Sequence, residues 1–116
     1  MKMTNFCNFA IKVVVKNVGE QPKVKVINNE LEDLQKIVGG HNEAVHIPFG
    51  DNLWMICNDI GKLENLPLNF YDPMLRDDIV GNVIFAASNL EGDFIDMTNE
   101  QIKAIKSYLN YQTLWQ

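Results

Sequence analysis

The side chains of this chain that could do chemistry are its carboxylates, two histidines and two thiols. His41 and His46 lie five residues apart with no third donor close by, whereas tetrahedral and octahedral metal sites need three or four converging donors. The acids between residues 72 and 96 do not alternate around a fixed glycine as a calcium-binding loop requires. We therefore expect no metal ion and no cofactor, and we interpret these acids as solvated loop residues.

The two thiols do not indicate nucleophilic catalysis. Cys57 closes the apolar run 53–57, and a thiol in such a run is typically buried and unreactive, because reactive thiolates need exposed electropositive surroundings. Cys7 is predicted to be exposed and incidental. No partner acid or base adjoins a nucleophile in the sequence, so we predict no catalytic residue, although catalytic partners can converge in space alone.

Acidic residues are concentrated in the middle of the chain. The net charge is −5, and residues 37–102 hold eleven acids against Lys62 and Arg76. Such a segment is typical of a solvated surface that aids solubility, and it equally fits a face made for a basic partner. Direct nucleic-acid binding is not expected, because the basic stripe that neutralises phosphates is absent.

Polar residues in two segments form the candidate binding surface. The turn 58–62 and the exit 66–69 carry side chains that could orient a small ligand or the backbone of a partner, and these residues are also common turn formers. The acidic stretch that follows could extend the same surface. The candidate residues are Asn58, Asp59, Lys62, Asn69, Phe70, Asp72, Asp77 and Asp78.

A hairpin and a short helix are predicted in the first third of the chain. Residues 9–16 and 23–27 are rich in β-branched residues, and the second run alternates strictly, which predicts a hairpin whose lysines face water or protect an edge. Asn29 is the predicted N-cap of the helix, with Glu32 completing a capping box. Gly39-Gly40 is the predicted end of that helix, because glycine tolerates the left-handed conformation.

Three further strands are predicted, at residues 43–49, 53–57 and 79–87. The second of these is apolar throughout and is predicted to be buried on both faces. Residues 62–68 fit a short strand or an extended loop. Residues 70–78 contain too much turn chemistry for a strand and are predicted to form an acidic excursion.

The last predicted element is a helix with well-marked start signals. Thr98 and Gln101 have the spacing of a capping box, and Met97 and Ile102 have that of a hydrophobic staple. Trp115 lies close to the end of the chain, and exposed aromatics often mark contacts. A homodimer through the C-terminal segment around Trp115 is therefore one arrangement that we consider.

These elements together predict an α+β fold. We expect a mostly antiparallel sheet of about five strands with two amphipathic helices packed on one face. The length of 116 residues fits a single domain, 1–116. No signal peptide and no run approaching the ~20 apolar residues of a membrane span is present, so we expect a cytoplasmic protein without membrane contact.

Three short motifs of the chain together resemble those of a known family. They are LQKIVGG at 34–40, CNDIGKL at 57–63 and LPLN at 66–69. They resemble a family of small proteins of unknown function from bacteriophages, plasmids and other mobile elements of bacteria. The resemblance implies a setting in a bacterial host cell rather than a mechanism. In that family an arginine often follows the exit asparagine, where this chain has Phe70, and an anion-binding role of that arginine would be lost or changed here.

Three functions are compatible with these observations. The resemblance and the acidic middle favour a non-enzymatic protein that inhibits a host defence effector, of the anti-CRISPR type, through an acidic surface. Its partner would be a host protein or a nucleoprotein. The first alternative is a small-ligand protein that sequesters a nucleotide signal between the turns around Gly39, Asn58 and Asn69. The second alternative is a small enzyme whose acids and histidines converge in space.

Overall fold

Strands account for most of the regular structure in this protein. The computed structural model describes residues 10–48, 50 and 52–114, with side chains to residue 110. Cys7 and Trp115 lie outside the described residues, and so do the predictions made for them. The strands are β1 Ala10–Lys16, β2 Lys23–Asn28, β3 Asn42–His46, β4 Leu53–Asn58, β5 Leu68–Asp72, β6 Asp77–Val80, β7 Val83–Ser88 and β8 Phe94–Ile95, and the helices are α1 Leu31–Val38 and α2 Asn99–Leu114.

The main sheet is antiparallel throughout its described pairings. Its strands lie in the order β2-β1-β7-β4-β3, and β8 pairs with the end of β7. A second, two-stranded sheet is formed by β5 and β6. The predicted α+β class with a mostly antiparallel sheet is therefore confirmed.

Both faces of the main sheet are apolar, and each is covered by one helix. Side chains of a strand alternate between faces, so Val13 packs towards α1 whereas its neighbour Val14 packs towards α2. The α1 face also contains Ile11, Val15, Leu34, Val38, Ile56, Ile84 and Ala86, and the α2 face contains Met55, Val83, Phe85, Met97, Ile105 and Leu109.

The two helices thus lie on opposite faces, and the expectation that they share one face was wrong in this respect. The reason is that β1, β4 and β7 are buried on both sides, as was predicted for residues 53–57 alone. A single helical layer would leave one of these two apolar faces in water.

A hairpin stands where the acidic excursion was predicted. Phe70 of β5 lies opposite Ile79 of β6, and both side chains are buried in the core on the α2 face. The turn chemistry in residues 73–76 belongs to the connection between the two strands. Burial against the sheet, which is not visible in the local pattern, overrides the weak strand propensity of the flanking residues.

The helix ends follow the sequence signals in part. Thr98 and Gln101 form the predicted capping box, since each side chain accepts a hydrogen bond from the other residue's backbone N–H, at 3.1 and 2.8 Å. The first helix begins one residue later than predicted, with Glu30 at the N-cap and no side-chain cap bond. It ends as predicted at Gly39, whose φ of 84° is left-handed. Neither helix in the described part of the chain is long and apolar enough to cross a membrane.

Candidate functional site

A cleft on the α2 face holds most of the predicted polar residues. It has a volume of about 180 Å³ and lies between the ends of β3 and β4, the turn after β4, and β6. We call it the acidic cleft. Its charged lining residues are Glu43, Asp59, Lys62, Asp77 and Asp78, and its other lining residues are Cys57, Asn58, Ile60, Gly61, Leu63, Ile79 and Val80.

One ion pair crosses the mouth of the acidic cleft. Lys62 Nζ donates a hydrogen bond to Asp77 Oδ1, joining the turn after β4 to the start of β6. This hydrogen bond raises the pKa of Lys62. Both side chains are about half exposed, so the pair adds little to stability. Glu43, Asp59 and Asp78 have no contacting cation among the described residues, and the cleft keeps a net negative charge.

Asn58 holds the turn that forms one wall of the cleft. Its side chain is buried, and its Oδ1 accepts a hydrogen bond from the Ile60 N–H at 2.9 Å. Its Nδ2 donates to the Val38 carbonyl at 3.4 Å and to Glu64 Oε1 at 3.3 Å. All of its polar atoms are therefore used within the chain, and Asn58 positions the cleft instead of offering a free group to a ligand.

The thiol of Cys57 forms part of the cleft wall and is not a nucleophile there. Partial burial is the main cause that raises its pKa to about 11, followed by the charges of Glu43, Asp59 and Asp77. The thiol is protonated at neutral pH and is unreactive for that reason. Glu43, Asp59 and Asp77 line the same cleft as this thiol.

Asn69 lies away from the cleft, in a buried hydrogen-bond network with Lys16. Lys16 Nζ donates to Asn69 Oδ1 at 2.9 Å and to the Asn17 carbonyl at 3.0 Å. Asn69 Nδ2 donates to the carbonyls of Lys16 and Gly81, at 2.9 and 2.8 Å. Burial lowers the pKa of Lys16, with the charge of Glu20 opposing the shift. Asn69 thus ties β5 to β1 and to the connection between β6 and β7.

Phe70 and Asp72 also lie outside the cleft. Phe70 is 2% exposed and packs against Phe85, with ring centroids 6.5 Å apart. Asp72 is buried, and its Oδ1 accepts hydrogen bonds from the backbone N–H groups of Met74 and Leu75 at the turn of the hairpin. Burial, and then the hydrogen bond and charge of Asp72, raise the pKa of Tyr108 on α2.

Phe70 therefore does not occupy a surface position where an arginine would meet an anion. Its side chain fills the core between β5 and the main sheet.

The fold brings five of the eight predicted site residues together and separates the other three. Asn58, Asp59, Lys62, Asp77 and Asp78 line the cleft, whereas Asn69, Phe70 and Asp72 are buried elsewhere.

Two residues, Glu43 and Lys16, were not among the predicted site residues, and the sequence pattern indicated the position of Glu43 alone. Glu43 lies two residues before the inward-facing Val45 on β3, so the two side chains share a face, and this spacing could have placed Glu43 beside its partner Cys57. Lys16 closes an apolar strand like an ordinary edge lysine, so the sequence does not show its burial.

A second depression lies at the same end of the sheet, beside the end of α1. It has a volume of about 230 Å³ and is mostly apolar, and we call it the apolar groove. The end of α1 and the exit from the turn meet here, because Gly39 and Pro67 both line it. Its other lining residues are Val18, Lys36, Ile37, Val38, Leu66, Gly81 and Asn82.

The histidines do not join either depression. His46 packs edge-on against the Trp54 ring, with centroids 5.2 Å apart. Neither His41 nor His46 lines the acidic cleft or the apolar groove. Within the described ranges, no group of three or more His, Cys, Asp or Glu side chains is placed to hold a metal ion.

Comparison with known proteins places the chain in a family. Residues 11–110 match the model of a family described as a domain of unknown function, DUF3846. No curated protein and no solved structure gives a significant match. The match covers most of α2 and all of the described strands, apart from the first residue of β1. The fold described above is therefore the fold of the matched region. The chain therefore belongs to the DUF3846 family, a family whose defining domain has no known function.

Proposed function

We propose that this chain is a non-enzymatic binding protein that offers the acidic cleft to a basic surface of a partner protein. The observation that carries the proposal is the convergence of four carboxylates, Glu43, Asp59, Asp77 and Asp78, around a cleft with one lysine. They come from three separate segments that the fold brings to one place. A concentration of like charges steers an oppositely charged partner and raises the rate of association.

The partner class follows from the charge and from the setting that the resemblance implies. A protein surface that binds nucleic acid is rich in lysine and arginine, and an acidic cleft competes for such a surface by presenting carboxylates where phosphates would lie. Proteins of phages and other mobile elements act inside a host cell that defends itself with nucleases. We therefore propose that the partner is a host defence effector, a protein or nucleoprotein, in the bacterial cytoplasm.

Affinity purification from a defence-competent host tests this proposal. The cleft variant Glu43→Gln/Asp78→Asn removes two exposed charges that have no contacting cation. The matched control Glu32→Gln/Glu91→Gln removes two exposed charges elsewhere on the surface. We expect the wild type and the control to capture a basic nuclease or immune protein, and the cleft variant to lose it. Equal capture by the cleft variant, or the absence of any such protein, would reject the proposal.

A small enzyme is the alternative that the same cleft favours. The four carboxylates do converge in space, which is one part of what this alternative required. The other part is not met, because His41 and His46 lie outside the cleft lining. Intact mass spectrometry of the captured partner separates the two functions. A partner of changed mass supports an enzyme, whereas an unchanged partner supports binding alone.

A small-ligand protein is favoured by a different observation, the apolar groove. Gly39 lines this groove together with the exit residue Pro67, as the ligand hypothesis required, whereas Asn58 and Asn69 do not line it. Lys36 is its one charged lining residue and could meet a single phosphate. A thermal-shift screen with cyclic nucleotides tests this function. A rise in the melting temperature at high ligand excess would support it, and no rise would reject it.

A further inference from the structure

The strand β3 is one edge of the main sheet in the described part of the chain. It pairs with β4 on one side, and no described strand lies on its other side. An edge strand presents a row of unpaired N–H and C=O groups to which another chain can add. The question is therefore which groups point outwards and what kind of chain they would accept.

The hydrogen bonds at the two ends of β3 fix the outward groups. Ile47 N–H donates to the Leu53 carbonyl, and Asp59 N–H donates to the His41 carbonyl, both at 3.0 Å. In an antiparallel pair, hydrogen-bonded positions recur at every second residue. Residues 43 and 45 therefore bond to β4, and the backbone groups of Asn42, Ala44 and His46 point away from it.

The charge beside this edge selects the added chain. Glu43 lies on β3 itself and lines the acidic cleft together with the carboxylates of Asp59 and Asp78. The opposite edge of the sheet is different, because β2 carries the exposed Lys23 and Lys25. Lysines on an edge discourage the approach of a basic strand. A basic strand is therefore favoured at β3 and disfavoured at β2.

We propose that the open edge of β3 binds an extended basic segment of the partner protein, which pairs with Asn42, Ala44 and His46 as an added strand. Side chains of an added strand alternate between the two faces. A segment with lysine or arginine at every second position directs these side chains to Glu43 and the acidic cleft, and its backbone bonds supply affinity. This inference rests on the proposed function, since it names the form in which the basic partner reaches the cleft.

A short peptide with alternating lysine and valine is the probe, and its binding is measured by fluorescence anisotropy. The control peptide has the same composition with its lysines in one block. A third peptide carries N-methyl groups on alternate backbone nitrogens, which removes its donors towards β3. We expect the alternating peptide to bind at least about tenfold more tightly than the other two. Equal binding of all three would overturn the proposal.

Two proline variants of the protein locate the binding edge. Ala44→Pro removes an outward N–H from β3, and proline is tolerated at edge positions of this kind. Val26→Pro is the matched control on β2. The Met97 N–H donates to the Lys12 carbonyl, so Lys12 and its register partner Val26 face away from each other and the Val26 N–H points outwards. We expect Ala44→Pro to weaken peptide binding about tenfold and Val26→Pro to leave it unchanged.

The outcomes separate this inference from the proposed function. If Ala44→Pro binds as the wild type does while Glu43→Gln/Asp78→Asn binds weakly, the cleft binds basic partners without strand addition, and only the inference fails. If neither variant changes binding, both fail. The β2 of a second copy carries the same alternating lysines, so concentration-dependent polymers of the protein alone would assign the β3 edge to self-association and overturn the inference.

Discussion

Lys16 is a buried lysine that no carboxylate contacts among the described residues. Its ammonium is held by the Asn69 side chain and the Asn17 carbonyl, and its removal from water lowers its pKa. A buried charge is costly unless polar groups surround it. Asn69 supplies part of that surrounding and at the same time satisfies two buried carbonyls. The exit asparagine is thus a structural residue of the fold.

We predict that Asn69→Ala lowers the free energy of unfolding by roughly 2–4 kcal/mol, because it leaves the Lys16 ammonium and two buried carbonyls without this partner. Urea unfolding followed by circular dichroism measures the change. Asn110→Ala, at an exposed position on α2, is the control and should change stability by less than about 0.5 kcal/mol. Equal stability of the two variants would contradict the role assigned to Asn69.

We expect Cys57 to make the free energy of unfolding depend on pH in the alkaline range. Its pKa of about 11 in the folded state exceeds the ordinary value of 9.0, so the folded state keeps a proton that the unfolded state loses. This contribution to stability is complete below pH 9 and is lost as the pH rises towards 11. We predict that the free energy of unfolding falls about 1–2 kcal/mol more between pH 9 and 11 in the wild type than in Cys57→Ala.

Both proteins in that comparison carry Cys7→Ser, so that Cys57 is the thiol under test. Tyr108, whose pKa is raised, and Lys16, whose pKa is lowered, act in both proteins and cancel in the difference. Parallel pH curves for the two proteins would show that burial of the Cys57 thiol does not affect stability.

The strand β5 illustrates how one element serves two surfaces. Phe70 is buried against Phe85, whereas its neighbour Tyr71 is 43% exposed on the other side of the strand. The effect of a substitution on stability therefore depends on which side of this strand the residue faces. Adjacent positions such as 70 and 71 provide a matched pair of variants.

We predict that Phe70→Arg unfolds the protein or costs more than about 4 kcal/mol, because it places an unpaired charge in the core. Tyr71→Arg should cost less than about 1 kcal/mol, because that side chain is half exposed. Thermal unfolding of both variants checks the prediction. A folded Phe70→Arg variant with near-native stability would mean that position 70 can reach the surface.

The elements that could be predicted from the sequence are those specified by local interactions. The capping box joins Thr98 and Gln101, which are three positions apart, and the end of α1 depends on the single residue Gly39. The hairpin of β5 and β6 was missed because its stability comes from burying Phe70 and Ile79 on a distant sheet. The placement of the helices was also missed, since it depends on which faces the assembled sheet leaves uncovered.

The candidate site was likewise predictable only where its residues are neighbours in the sequence. The turn residues Asn58, Asp59 and Lys62 are neighbours in sequence and stay together in space. Asp77 and Asp78 reach them only because β6 folds back over the sheet. Lys16 and Asn69 are 53 residues apart, and neither residue type by itself signals burial.

At the scale of the whole molecule, we expect the acidic cleft to oppose folding. Like charges held close together repel each other, and salt screens exposed charges of this kind. We predict that Glu43→Gln/Asp78→Asn has a higher urea midpoint than the wild type at low salt, and that the difference shrinks as salt is added. The control Glu32→Gln/Glu91→Gln should show no gain, since Glu32 lies favourably in the first turn of α1.

A gain in stability in the cleft variant together with a loss of partner capture would show that these carboxylates are kept for binding at a cost to the fold. A cleft variant no more stable than the wild type would instead mean that the carboxylates are far enough apart to be solvated independently.

The central pairing of β1 with β7 has a consequence for the growing chain on the ribosome. Val14 lies opposite Phe85, so β1 leaves the ribosome long before its inner neighbour has been made. Until then, the valines at 13–15, which are buried in the folded protein, belong to a hairpin of β1 and β2 in which the other edge of β1 is unpaired. Such exposed apolar strands readily pair with other chains. Nascent or prematurely terminated chains that lack β7 are therefore expected to aggregate, because β1 gains its inner neighbour only after β7 has been synthesised.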